Sequence, residues 1–137
     1  MRVLDACVVT DALVSTGRTG QQARTLLAQE SWLHVPAILG AEVTSALRSM
    51  LRRGLVDDTT ALVATRQVAR LRARRYPFEP FLDRVWELRE TVTPYDAWYV
   101  ALAEQLDAVL ITGDRRLQRA SGPRCQVLTP EQALSEA

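Results

Sequence analysis

The chain has 137 residues, 47% of them hydrophobic and 24% charged, with a formal net charge of +1. That balance fits one globular domain over 1–137 that needs no disulfide or metal staple, and it argues against disorder and against a strongly charged partner-binding tail. No apolar run reaches the ~18 residues of a membrane span, and the early carboxylate in Met1-Arg2-Val3-Leu4-Asp5 is unlike a signal peptide, so the expected setting is the cytoplasm with Cys7 and Cys125 as free thiols.

In chain order, Val3-Leu4 reads as a short strand ending at Asp5, and 6–14 continues as a helix. Residues 15–20 form a loop by composition, and 21–29 a helix with Ala23, Leu26 and Leu27 on its apolar side. Residues 32–35 are a second strand. Pro36 suits the first turn of the next helix, which runs to about Arg53 on a stripe of Leu39, Val43, Ala46, Leu47 and Met50 and stops at Gly54. Asp57-Asp58-Thr59 caps a helix reaching Leu71; 74–77 is short and extended, and 79–89 is helical. Thr93-Pro94-Tyr95-Asp96 opens a helix through Leu106, with a cap, a proline at the first position and a carboxylate three residues after the cap. The apolar run 108–112 is a buried-type strand, followed by a short helix over 114–119, a strand over 126–128 and a terminal turn or helix over 130–134. Short apolar strands alternating with helices predict an α/β fold, a three-layer α/β/α domain around a central parallel sheet of four or five short strands.

Two absences narrow the chemistry. His34 is the single histidine, which speaks against histidine metal clusters and zinc fingers, and all 17 basic residues are arginine. Without lysine there is no Walker-type phosphate loop, no Schiff base and no lysine general base.

Four carboxylates fall where an open α/β sheet binds its ligand, beyond the carboxyl ends of the strands. Asp5 ends the first strand, and Asp114 follows the Val109-Leu110-Ile111-Thr112 strand. Glu42 and Asp96 lie near the starts of their helices. Each alone also has a structural reading: Asp5 and Asp114 as helix caps, Asp96 as part of a capping box, Glu42 as an exposed helix residue. Gathered together they would repel one another and need protons or a cation. Oxygen-only ligands select hard cations such as Mg²⁺ or Mn²⁺, which can activate water and stabilise a leaving oxygen in phosphodiester cleavage without histidine or lysine.

At these residues the sequence resembles the PIN-domain family, and within it the VapC-type toxin ribonucleases. The resemblance runs through Val3-Leu4-Asp5-Ala6-Cys7-Val8-Val9, Pro36-Ala37-Ile38-Leu39-Gly40-Ala41-Glu42-Val43, Tyr95-Asp96-Ala97-Trp98-Tyr99-Val100-Ala101-Leu102-Ala103 and Leu110-Ile111-Thr112-Gly113-Asp114-Arg115-Arg116-Leu117. It implies an α/β/α domain in which Asp5, Glu42, Asp96 and Asp114 bind Mg²⁺ or Mn²⁺ and cleave RNA, supported by the hydroxyl of Thr112. It further implies a cognate antitoxin, a homodimer, and an RNA target such as tRNA or rRNA. Cys7 stands where many relatives carry serine, and Arg115-Arg116 where some offer a further acid, so no fifth ligand is expected from that loop.

Arg66, Arg70, Arg72, Arg74 and Arg75 crowd a stretch, 59–78, that has no Asp or Glu. They read either as a solvated face or, at Arg72, Arg74 and Arg75, as an RNA-backbone contact. Trp32, Trp86, Trp98, Tyr95 and Tyr99, with Phe78 and Phe81, read as core or interface, His34 as structural and Asp11 as solvent-facing. Two other functions stay open: a catalytically silent nucleic-acid- or protein-binding module, and a phosphate-ester hydrolase using Asp5 as nucleophile. The second is disfavoured by Cys7 at the place of its usual second Asp and by the missing lysine.

Overall fold

Apolar runs too short for helices pair side by side in the computed structural model, which describes residues 1–136. Strand β1 (Arg2–Leu4) pairs in parallel with β4 (Val109–Ile111), Leu4 opposite Ile111, and β4 pairs in parallel with β5 (Val127–Leu128). Strands β2 (Leu33–Pro36) and β3 (Ala73–Tyr76) form a second parallel ladder. β2 lies beside β1 without ladder hydrogen bonds between them, so the five expected strands are present but hydrogen-bonded as three plus two.

Helices cover the strands as crossovers. Helix α1 (Ala6–Val14) packs on α2 (Gly17–Ala28), α3 (Leu39–Arg52) and α4 (Asp58–Arg70). After a 3-10 turn at Glu79–Phe81, α5 (Leu82–Glu87) packs on α6 (Pro94–Gln105), which lies against β1, β2 and β4. The short α7 (Arg115–Arg119) and α8 (Pro130–Ser135) pack on β5. Residues 97–103 of α6 are all buried, so this helix has no polar face over two turns and runs through the core.

Three local expectations differ. Residues 15–20 are not a loop: α2 begins at Gly17, which takes a left-handed φ of 68° to turn the chain, while a Cβ on Gly20 would overlap the Ser15 carbonyl. These glycines serve a tight turn and a close approach of helix to backbone, which composition reads as a breaker. Pro36 ends β2 opposite Tyr76, and the Ala37 N–H donates to the Tyr76 carbonyl (2.9 Å), so the ladder keeps the chain extended and α3 starts only at Leu39. The helix expected over 79–89 ends at Glu87, and the Thr91 hydroxyl ties the following turn to the Ser121 carbonyl (2.6 Å).

Candidate active site

The register of β1 on β4 brings Asp5 and Thr112 together, one residue past Leu4 and Ile111. The Asp5 N–H donates to the Ile111 carbonyl (2.9 Å) and the Thr112 N–H to the Leu128 carbonyl (2.9 Å), so the sheet fixes both backbones. Asp5 is buried and its side chain makes no helix-cap hydrogen bond. It accepts instead from the fully buried Thr112 hydroxyl (2.7 Å), whose oxygen in turn accepts the Asp114 N–H (3.0 Å). One hydroxyl thus holds the first carboxylate and the loop bearing another. Cys7 braces the same loop: its sulfur accepts the Gly113 N–H (3.4 Å) and lies 3.8 Å from Thr112 Oγ1.

The other carboxylates arrive from helix starts. Asp96 lies in the first turn of α6, where the Thr93 hydroxyl accepts the Asp96 N–H (3.3 Å). Glu42 lies in the first turn of α3 and accepts a hydrogen bond from the hydroxyl of Tyr99 (2.8 Å), a residue that is itself fully buried. Asp114 caps α7, accepting the Arg116 N–H (2.9 Å), so its structural reading is realised as well.

Burial, with a contribution from the charge of Asp114, holds the Asp5 carboxyl above its ordinary pKa, against the Thr112 hydrogen bond that stabilises the anion. Burial and then the charges of Asp5 and Asp96 raise Glu42, while Tyr99 opposes. Asp96 is raised by burial and then by Asp5 and Asp114. Burial pushes the Tyr99 phenol far upward, so it remains a donor. The Cys7 thiol, open to solvent on one side but desolvated by the protein around its sulfur and close to Asp5, is pushed up to about 12. It is therefore a neutral hydrogen-bonding group at neutral pH.

Among the described residues no basic side chain forms an ion pair with Asp5, Glu42 or Asp96; Asp114 has only the exposed Arg116, at 3.7 Å. The group is short of positive charge, and its donors are all oxygen, which suits a hard divalent cation. Among the described residues no three His, Cys, Asp or Glu side chains are gathered into a ready-made metal cage.

All four acids expected from the sequence are thus within electrostatic reach of at least one other, and Thr112 bonds the most buried of them. Sequence reasoning missed two residues of this network. Tyr99 is core, as its sequence suggests, but its hydroxyl bond to Glu42 is not readable there; Arg116, which the sequence shows only as the absence of another acid, lines a cleft of about 220 Å³ with Asp96, Asp114, Thr91 and Thr93. Arg72, Arg74 and Arg75 do not line that cleft. Arg74 stacks on the Tyr76 ring, and Arg75 donates to the carbonyls of Ala73 and Val68. His34 is structural, with Nδ1 2.7 Å from the Tyr76 hydroxyl. Asp11 accepts the Ser15 hydroxyl (2.6 Å) at the end of α1. Trp98, Tyr99 and Phe81 are core, whereas Trp32, Trp86 and Tyr95 are exposed.

Known proteins share this architecture and sequence. The PIN domain family matches residues 2–123. VapC ribonuclease Mb0985 of Mycobacterium bovis is 40% identical over 130 residues, covering 93% of this chain and 96% of the relative. Ribonuclease VapC1 of Mycobacterium tuberculosis is 41% identical over 126 residues, covering 91% of this chain and 94% of the relative. Among solved structures, FitAcB from Neisseria gonorrhoeae superposes with a TM-score of 0.67 at 19% identity, over 96% of this chain and 99% of that one. FitAB bound to an IR36 DNA fragment gives a TM-score of 0.61 at 18% identity, over 95% of both. At those identities the two structures speak for the fold.

Proposed function

This chain belongs to the PIN-domain family, with VapC ribonucleases among its relatives, and on that premise we propose that it is a divalent-metal-dependent endoribonuclease, the toxin of a toxin–antitoxin pair. The observation that carries the chemistry is the set of carboxylates at the ends of β1 and β4 and at the starts of α3 and α6, Asp5 buried and the others half-buried, with no ion pair to Asp5, Glu42 or Asp96 among the described residues. Asp5, Asp96 and Asp114, with Glu42, would hold Mg²⁺ or Mn²⁺. The ion, when bound, supplies Lewis-acid activation of water and charge stabilisation at the phosphate.

The chain's own groups do the rest. Thr112 fixes the Asp5 carboxylate and the Asp114 loop through one hydroxyl. Tyr99 sets the rotamer of Glu42 through its hydroxyl. Water oxygen adds to phosphorus in line and releases one of its protons, the P–O3′ bond breaks and the 3′ oxygen takes up a proton from solvent, leaving 5′-phosphate and 3′-hydroxyl ends. The expected substrate is tRNA or rRNA, with Arg72, Arg74 and Arg75 as outlying backbone contacts. The expected setting is the cytoplasm, with an antitoxin and a second copy of the chain as partners. Among the described residues no helix is long and apolar enough to cross a membrane.

The end chemistry of cleaved RNA tests this directly. Fragments that ligate through a 5′-phosphate and 3′-hydroxyl are expected. Cyclic 2′,3′-phosphate ends would mean attack by the RNA's own hydroxyl and would contradict the water mechanism.

A further inference from the structure

We propose that Arg116 contacts the substrate, its guanidinium gripping an RNA backbone phosphate at the mouth of the cleft between Asp96 and Asp114; the inference rests on the nuclease reading above. The cleft is lined by two carboxylates and the threonines of the α5–α6 connection, and Arg116 is the single cationic side chain on its wall. A phosphodiester entering there meets negative charge and needs a positive group that travels with the site.

Arg116 has the freedom to serve. Its backbone N–H is committed to Asp114 (2.9 Å), which places the residue at the rim. Its side chain is 94% exposed and meets Asp114 only at 3.7 Å through Nε. An exposed pair of that length contributes little to stability. The outer face of the guanidinium fork stays open to solvent, and that planar fork matches two phosphate oxygens. Arg84, by contrast, is committed to Glu104 and the Gly122 carbonyl.

The test is steady-state cleavage by wild type, Arg116→Ala and Arg116→Lys over a salt series. The probe is a short synthetic RNA bearing a site mapped from wild-type digestion of total RNA. Arg116→Ala is expected to raise KM about tenfold with kcat within about twofold of wild type. The slope of log affinity against log salt should fall by about one. Arg116→Lys, which keeps the charge and loses the fork, should recover part of the KM. A residue that merely supports Asp114 would instead change kcat and the Mg²⁺ requirement, leaving KM and the salt slope as they were; that result overturns the proposal. If wild type cuts RNA and Arg116→Ala matches it in KM and slope, only the phosphate grip fails. If wild type cuts no RNA, the nuclease reading fails and the grip with it.

Discussion

Burying Asp5 beside other carboxylates changes how stability responds to pH. The folded chain binds protons at Asp5, Glu42 and Asp96 more tightly than the unfolded chain does. Above the unfolded carboxylate pKa of about 4, rising pH therefore strips the unfolded state first, and these groups subtract stability until the folded ones have ionised too. Glu104, held low by Arg84, works in the opposite sense, so the clean reading is a difference. The melting temperature of Asp5→Asn minus that of wild type is expected to grow as pH rises from about 4 to neutrality in EDTA, and to shrink when Mg²⁺ is added. A flat difference would mean that Asp5 is not under carboxylate pressure. Tyr99→Phe removes one hydrogen bond to a half-buried carboxylate, so urea unfolding should register a loss of about 1 kcal/mol, with kcat falling because Glu42 loses its fixed rotamer. The places of the four acids in the fold were legible because strand ends and helix starts are positions a sequence displays. The Tyr99 hydroxyl bond was not, because Ala97-Trp98-Tyr99-Val100-Ala101 looks uniformly apolar and its partner is on another helix, in α3.

Between elements, Arg84 holds the far side of the molecule together. From α5 it makes two bonds to Glu104 on α6, through Nε (2.7 Å) and a terminal nitrogen (3.0 Å), and donates to the Gly122 carbonyl (2.8 Å). Glu104 also accepts the Arg124 N–H (2.7 Å), so two helices and the loop before β5 share one ion pair. Arg84→Ala is expected to cost about 2 kcal/mol by chemical denaturation, because it strands a largely shielded Glu104. Arg18→Ala, breaking the exposed Arg18–Glu131 pair, should cost under about 0.5 kcal/mol. Equal losses would contradict this distinction. Caps made two helix starts readable, since Asp57 and Thr93 each accept the N–H three residues on; Thr129 does the same at the start of α8, where the sequence suggests only a turn or helix. Boundaries failed where tertiary contacts decided them, at Gly17 and Gly20 under the α1–α2 packing and at Pro36 in the β2–β3 ladder.

Across the whole molecule, charge is divided rather than absent. With the four acids set aside, a chain of net +1 carries +5 elsewhere. Under the proposed function, four carboxylates in an otherwise net-positive chain would suit a polyanion brought to a cation held there. The alternation of short strands and helices made the layered fold legible. The division of its strands into two ladders was not, since register depends on pairings that no local run displays. The central claim is that the carboxylates cut RNA with the help of a divalent ion. Digestion of total cellular RNA by purified protein, with Mg²⁺ or Mn²⁺ and then with EDTA, beside an Asp96→Asn variant that keeps its fold, tests it most directly. Discrete cleavage that needs the ion and vanishes in the variant is the expected result. Cleavage that persists in EDTA or in Asp96→Asn, or metal-independent RNA binding without turnover after any bound partner is removed, would contradict it.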